Sequence, residues 1–314
     1  MEQEKINFSV ARDFTELFNA ATKFFNQNFK HFFHSMLFII GPLILITAIS
    51  MAAYQYSMLT APLSSMMGGY TNSFFNNLGW GFAGYIICSL ITNLVLITTV
   101  YSYMIIYSTN GPKNFTVAEV RKMMFKNIGK VVKGFFVMLF LVIAIGTLVG
   151  VVAGFFITVM RIVATIIVVL LVLLFLPPLM WRLSSFYLIQ IKENRSAMKA
   201  LDRTGEVMRG KFFSTWLYMM VTGVAIGILF IVLYMPQTIC QLFIRMGQVH
   251  GPTMVLSIGV MMVSQFFVIM LHCIFYFMCG LRYYSLSEKL DGASLNDRID
   301  EIGKVPSLDV EQYY

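Results

Sequence analysis

The chain has 314 residues, 58% of them hydrophobic and only 12% charged, with a mean hydropathy of +0.75. Soluble domains carry about 25% charged residues, and a chain of this length in water could not hide so much apolar surface, so a soluble globular fold is excluded. The net charge of +8 would suit nucleic acid or an anionic membrane surface, and its distribution along the chain selects the second.

The first local signal is Asp13-x-x-Glu16, a capping box that opens a helix with Leu17 and Ala21 on one face and Lys23 off it. His31 and His34 follow beside Lys30. Two histidines three apart are able to ligate a metal, but a place at the entrance of a span is the simpler expectation. Crossing a bilayer takes about 20 mostly apolar residues, and the first such run is 32–54, with Gly41-Pro42 inside it. A connection without Lys or Arg, 55–79, leads to the second run, 80–107, which contains Cys88 and Asn93. Residues 108–134 then hold six Lys/Arg, Lys126 among them, and a second box, Thr116-x-x-Glu119. The third run, 135–160, carries Gly146-x-x-x-Gly150-x-x-x-Gly154, small residues one turn apart that let helix backbones approach closely.

Arg161 marks a tight turn into the fourth run, 162–181. Pro177-Pro178 near its end predict that the helix bends or stops on leaving lipid, with Trp181-Arg182 as an interface anchor. The charged stretch ENRSAMKALDRTGEVMRGKFF (193–213) places Ala197, Ala200, Leu201, Thr204 and Met208 on one helical face, with Lys199, Asp202, Arg203, Glu206 and Arg209 elsewhere. Asn194 is the expected N-cap and Gly210 the expected stop, which describes an amphipathic helix lying along the membrane surface. The fifth run, 212–235, contains Gly223-x-x-x-Gly227, a second close-packing motif. The sixth, 254–281, contains Gln265 and His272, seven residues apart and so nearly on one face. Residues 284–314 read as a polar tail with seven acids against three Lys/Arg and a helical turn near 295–302.

Aligning Phe33, Phe136 and Phe213 without gaps predicts a threefold internal repeat of surface helix, span, turn and span. Lys23, Lys126 and Arg203 then coincide ten residues before the anchor, as equivalent cations facing anionic phospholipid. The expected architecture is all-α: a six-span membrane domain over 1–283, with units of about 13–107, 116–192 and 193–283, three amphipathic surface helices, and the tail. Of the 23 Lys/Arg, 21 fall with all 15 acids on the connections that share a side with the termini, so both termini are expected in the cytoplasm.

No acid or lysine lies within any span, and His272 is the titratable side chain expected at depth. Polar residues inside lipid are expensive and often functional. Asn93, Gln265 and His272 are therefore the candidate intramembrane site, with hydrogen bonds between helices as the alternative role. The four cysteines show no paired spacing, so no disulfide or metal is expected. No phosphate-binding, zinc-protease or serine-hydrolase motif occurs. No enzyme activity, cofactor, metal or nucleic acid is expected.

Glu193, Ser196, Ala200-Leu201, Arg203-Thr204, Met208, Gly210 and Phe212 resemble a motif of a diffuse bacterial six-helix membrane family. That family includes the membrane domain fused to some glycerophosphodiester phosphodiesterases. The resemblance implies a bacterial inner-membrane location and a membrane domain that is not the catalytic part. The sequence alone favours a non-enzymatic scaffold or accessory subunit that meets other membrane proteins; a transporter component for a small or lipidic solute is the alternative.

Overall fold

A computed structural model describes residues 5–60, 72–112, 114–159, 161–246 and 252–292. Seven helices occur among them: α1 (Phe14–Thr60), α2 (Asn72–Asn110), α3 (Val117–Val159), α4 (Arg161–Lys192), α5 (Ala197–Met208), α6 (Phe212–Arg245) and α7 (Pro252–Asp291). All but α5 are long and apolar enough to cross a membrane, which is the signature of a multi-pass integral membrane protein. The expected residues 293–314 of the tail, and the turn at 295–302, lie outside the described residues.

Both capping boxes sit where the helices begin. The Asp13 amide donates to Glu16 Oε2 at 3.0 Å ahead of α1, and the Glu119 amide donates to Thr116 Oγ1 at 3.4 Å ahead of α3. Each box thus forms one arm of the reciprocal pair. The first two charged segments do not form separate surface helices, however. They run without a break into their spans, and α1 with 47 residues is about 70 Å long at 1.5 Å per residue, over twice the ~30 Å hydrocarbon layer. Only α5 stands alone. Its N-cap is Ser196, not Asn194; Asn194 takes φ 54°, a left-handed residue that breaks the chain between α4 and α5. Gly210, at φ 70°, terminates α5 as expected, with the Lys211 amide returning to Met208 O at 2.8 Å.

The centre of the bundle is α1 and α7, each with 39% of its most apolar stretch buried; α4, with 11%, is the most peripheral. The apolar side chains of α4 from Val163 to Met180 are largely exposed, which in lipid is their favourable state. Below Met180 the helix turns inward. Trp181 is fully buried and donates its indole N–H to Cys279 O at 3.2 Å, so it packs inside the protein and does not anchor an interface.

Pro177-Pro178 neither end nor interrupt α4, which continues to Lys192. Pro177 lacks the N–H that would reach the carbonyl four residues back, at Leu173. Trp216 of α6 supplies a donor instead, its Nε1 lying 3.0 Å from Leu173 O. Lipid offers no water to replace that bond. Trp216→Phe is expected to lower stability in mild detergent by about 1–2 kcal/mol, read as a lower melting midpoint. In a Pro177→Ala background, where the backbone donor returns, the same change should have little effect; equal losses in both backgrounds would refute the compensation.

The charged end of the bundle gathers the starts of α1, α3 and α6, the ends of α2, α4 and α7, and α5. Residues 5–13 cross this end as a strap. Ile6 N donates to Tyr107 Oη at 3.3 Å, and Arg12 exchanges two backbone bonds with Ser285 Oγ, at 3.0 and 3.1 Å. Phe8 is fully buried, stacked on Tyr107 at 5.0 Å and packed against Phe24, Phe277 and Tyr284 at 5.7–5.8 Å.

Candidate functional site

The three polar residues singled out in the sequence meet. Asn93 on α2, with Gln265 and His272 on α7, line one cavity of about 280 Å³ together with Thr47, Tyr85, Ser89, Thr92, Phe230 and Tyr234. It lies in the half of the bundle away from the charged end: His272 precedes Asp291 by 19 residues, about 28 Å along α7.

Local helical periodicity builds the lining. Tyr85, Ser89 and Asn93 are four apart on α2, Phe230 and Tyr234 four apart on α6, and Gln265, Val268, Ile269 and His272 share one stripe of α7. On α1, Thr47 closes the wall: its hydroxyl bonds Thr92 Oγ1 at 2.7 Å, Leu43 O at 2.9 Å and Cys88 O at 3.3 Å, pinning α1 to α2. Asn93 Nδ2 donates to Ser89 O at 3.1 Å, and its Oδ1 accepts from Tyr276 Oη at 3.4 Å. Gln265 is 5% exposed, and its Oε1 accepts from Tyr234 Oη at 3.4 Å. His272 Nδ1 lies 3.1 Å from Val268 O, and its ring meets Phe230 edge-to-face at 5.3 Å.

This geometry assigns the histidine tautomer. A carbonyl oxygen only accepts, so Nδ1 carries the proton and Nε2 is an acceptor. Tyr85, Tyr234, Thr47, Thr92 and Ser89 were not among the residues picked from the sequence. The four-residue spacing of Tyr85, Ser89 and Asn93 was the available signal, masked because Ser, Thr and Tyr are ordinary within spans.

The candidate packing glycines behave differently from expectation. A Cβ added at Gly146, Gly150, Gly154, Gly223 or Gly227 would meet nothing within 4 Å, so among the described residues these motifs show no close helix approach. The close approaches are elsewhere. A Cβ at Gly280 would stand 2.6 Å from Met104 Sδ, and one at Gly134 would collide with the Gln190 carboxamide. Isolated glycines serve where α7 crosses α2 and α3 crosses α4.

Nor are the three aligned cations equivalent. Lys23 and Lys126 are exposed, whereas Arg203 is 8% exposed. Arg203 pairs with Asp291, with Glu206 at 3.2 Å and with Glu193 at 3.5 Å. Burial disfavours its cation, but the hydrogen-bonded carboxylates of Asp291 and Glu206 outweigh it and hold the guanidinium above its ordinary value. Tyr283 donates to Glu193, Ser287 donates to Asp291 at 3.0 Å, and Arg182 Nε donates to Thr204 Oγ1 at 3.0 Å. The buried face of α5 is thus Ala200, Arg203, Thr204 and Val207, turned by the Arg203 network from the face expected. The segment 284–291, expected as the start of the tail, belongs to α7, with Tyr284 to Glu288 all buried.

His31 Nδ1 bonds Tyr103 Oη at 2.8 Å, and its ring packs edge-on against Phe115 at 4.9 Å, while His34 is exposed. Among the described residues no three His, Cys, Asp or Glu gather as a metal site.

These features define a class: a six-span helical membrane protein with an uncharged polar cavity in one half and an ion-paired, aromatic-sealed end in the other. Comparison with known proteins finds no matching family model, no significantly similar curated protein and no significantly similar solved structure.

Proposed function

We propose that this chain is a carrier or permease component for a small solute, and that the cavity at Asn93, Gln265 and His272 is where the solute binds in transit. The observation that carries this reading is the convergence of hydrogen-bonding side chains from α1, α2, α6 and α7 on one cavity within the membrane-spanning part. A dry bundle would pair such groups off. Here the Gln265 carboxamide and the His272 imidazole each keep capacity for a further partner. Ligand sites between bundled helices, and transport sites near the membrane midplane, are the general precedent.

The charged end is placed on the cytoplasmic side by the Lys/Arg bias of its connections, in a bacterial inner membrane on the strength of the six-helix family resemblance. α5 and the leading turns of α1 and α3 are the amphipathic surface elements, set against anionic phospholipid headgroups, and a threefold repeat underlies the layout. The protein acts without catalysis. The scaffold reading draws on a separate observation, the open Gly146–Gly150 and Gly223–Gly227 pairs, which would accept a partner helix of another membrane protein.

Reconstitution separates the two readings. Proteoliposomes should swell faster than protein-free vesicles in at least one small solute, and His272→Ala should slow this about tenfold, the loss of one buried hydrogen bond at ~1.4 kcal/mol. Swelling equal to that of empty vesicles across solutes would sink the transport reading and leave the scaffold.

A further inference from the structure

The bonding capacity left in the cavity points to a ligand chemistry, resting on the transport reading above. Among the described residues its lining contains no Asp, Glu, Lys or Arg. An ion moved there would lose its hydration without gaining a counter-charge, so charged solutes are disfavoured at the site.

Most lining polar atoms are already committed within the protein. Thr47 and Thr92 bond one another and Leu43 O; Asn93 uses both ends of its carboxamide. Gln265 Oε1 is taken by Tyr234, which leaves the two N–H groups of Gln265 Nε2 as donors. His272 Nδ1 is taken by Val268 O, which leaves Nε2 as an acceptor. The residual site therefore offers a donor pair at Gln265, an acceptor at His272 and the hydroxyls of Ser89 and Tyr85 beside them, all neutral.

Gln265 and His272 lie seven residues apart, about 10.5 Å along α7. Two hydrogen bonds of ~2.8 Å each leave about 5 Å between the ligand's own polar atoms, a separation that terminal hydroxyls reach across three extended carbons or a longer, partly folded polyol chain. At ~30 Å³ per water, 280 Å³ has room for about nine waters, a volume suited to a short linear solute. The rings of Tyr85, Phe230 and Tyr234 give it apolar walls against which C–H groups pack.

We propose that the cavity selects a small, uncharged, polyhydroxylated solute, bridging from a hydroxyl that accepts from Gln265 Nε2 to one that donates to His272 Nε2. Discrimination against charge comes from the missing counter-ion. Discrimination against apolar solutes comes from the two polar groups they would leave unpaired.

The test is stopped-flow swelling of proteoliposomes in iso-osmotic erythritol or xylitol, compared with sodium glutamate and choline chloride. Swelling in the two polyols at least about tenfold faster than in either salt is expected. His272→Phe removes the acceptor but keeps a ring, and Gln265→Leu removes the donors at similar volume. Both should slow polyol entry about tenfold while their melting midpoints stay near that of the parent. Flux of glutamate or choline without polyol flux overturns the neutral-solute proposal and leaves the transport reading standing. Polyol flux untouched in both well-folded variants overturns the assignment to this cavity. No flux of any solute overturns the transport reading, and this proposal with it.

Discussion

Phe8→Ala is expected to release the strap of residues 5–13 from the charged end, weakening its docking by about 3–5 kcal/mol. Phe8 is fully enclosed by Phe24, Tyr107, Phe277 and Tyr284, rings contributed by α1, α2 and α7. Because the strap precedes α1, its released state is in water. The hydrophobic effect therefore acts fully on Phe8, unlike on side chains that would merely exchange protein for lipid. The aromatic geometry adds more, about 0.5–1.5 kcal/mol per favourable pair. The remaining strap contacts are weaker: the buried Ile6 with its amide bond to Tyr107, the Ser285–Arg12 bonds, Lys5 to Thr109 O at 3.3 Å, and the exposed pair of Lys289 with Asp13. Limited proteolysis and amide exchange should show residues 5–13 opening while the spans stay protected. Loss of protection across α2 and α7 together would show instead that Phe8 is a keystone of the whole bundle. Unchanged protection of the strap would refute the docking argument.

Arg203→Ala should cost about 2–4 kcal/mol, below the upper figure for a fully buried ion pair because Asp291 and Glu206 keep some solvent contact. The change leaves Glu193 and Asp291 close together without their shared cation. It also unties α5 from the end of α7, although Arg182 still holds Thr204. Lys23→Ala and Lys126→Ala, at exposed positions, should each shift stability by less than about 0.5 kcal/mol. Melting midpoints of the three variants in the same detergent distinguish the cases. Three similar small shifts would restore the view of Lys23, Lys126 and Arg203 as equivalent surface cations.

These two sites show where local pattern suffices and where it does not. The starts of α1 and α3 were legible because a capping box is written in four consecutive residues, Asp13–Glu16 and Thr116–Glu119. The six spans were legible because partition into lipid depends on the composition of each run alone. The Gly210 stop was legible because a left-handed residue there suits glycine. Asn93, Gln265 and His272 were legible as individuals, since polar groups stand out in apolar runs. That they share a cavity was not. Asn93 and Tyr276 are 183 residues apart in the chain, and only the packing of α2 against α7 makes them neighbours.

The misreadings have the same root. Pro177-Pro178 predicted a bend or an end, and the helix does not end there because Trp216, 43 positions from Leu173, restores a donor from another helix. Arg203 looked like a surface cation because its own helix carries several opposite charges, but its strongest partner is Asp291, 88 residues on. By itself the sequence determined that the chain lives in lipid, how many times it crosses, and where most helices begin, since solvent preference and capping act over a few residues. The tertiary structure decided which polar groups meet, which cation is buried and which end is sealed, because those depend on contacts between residues tens to hundreds of positions apart.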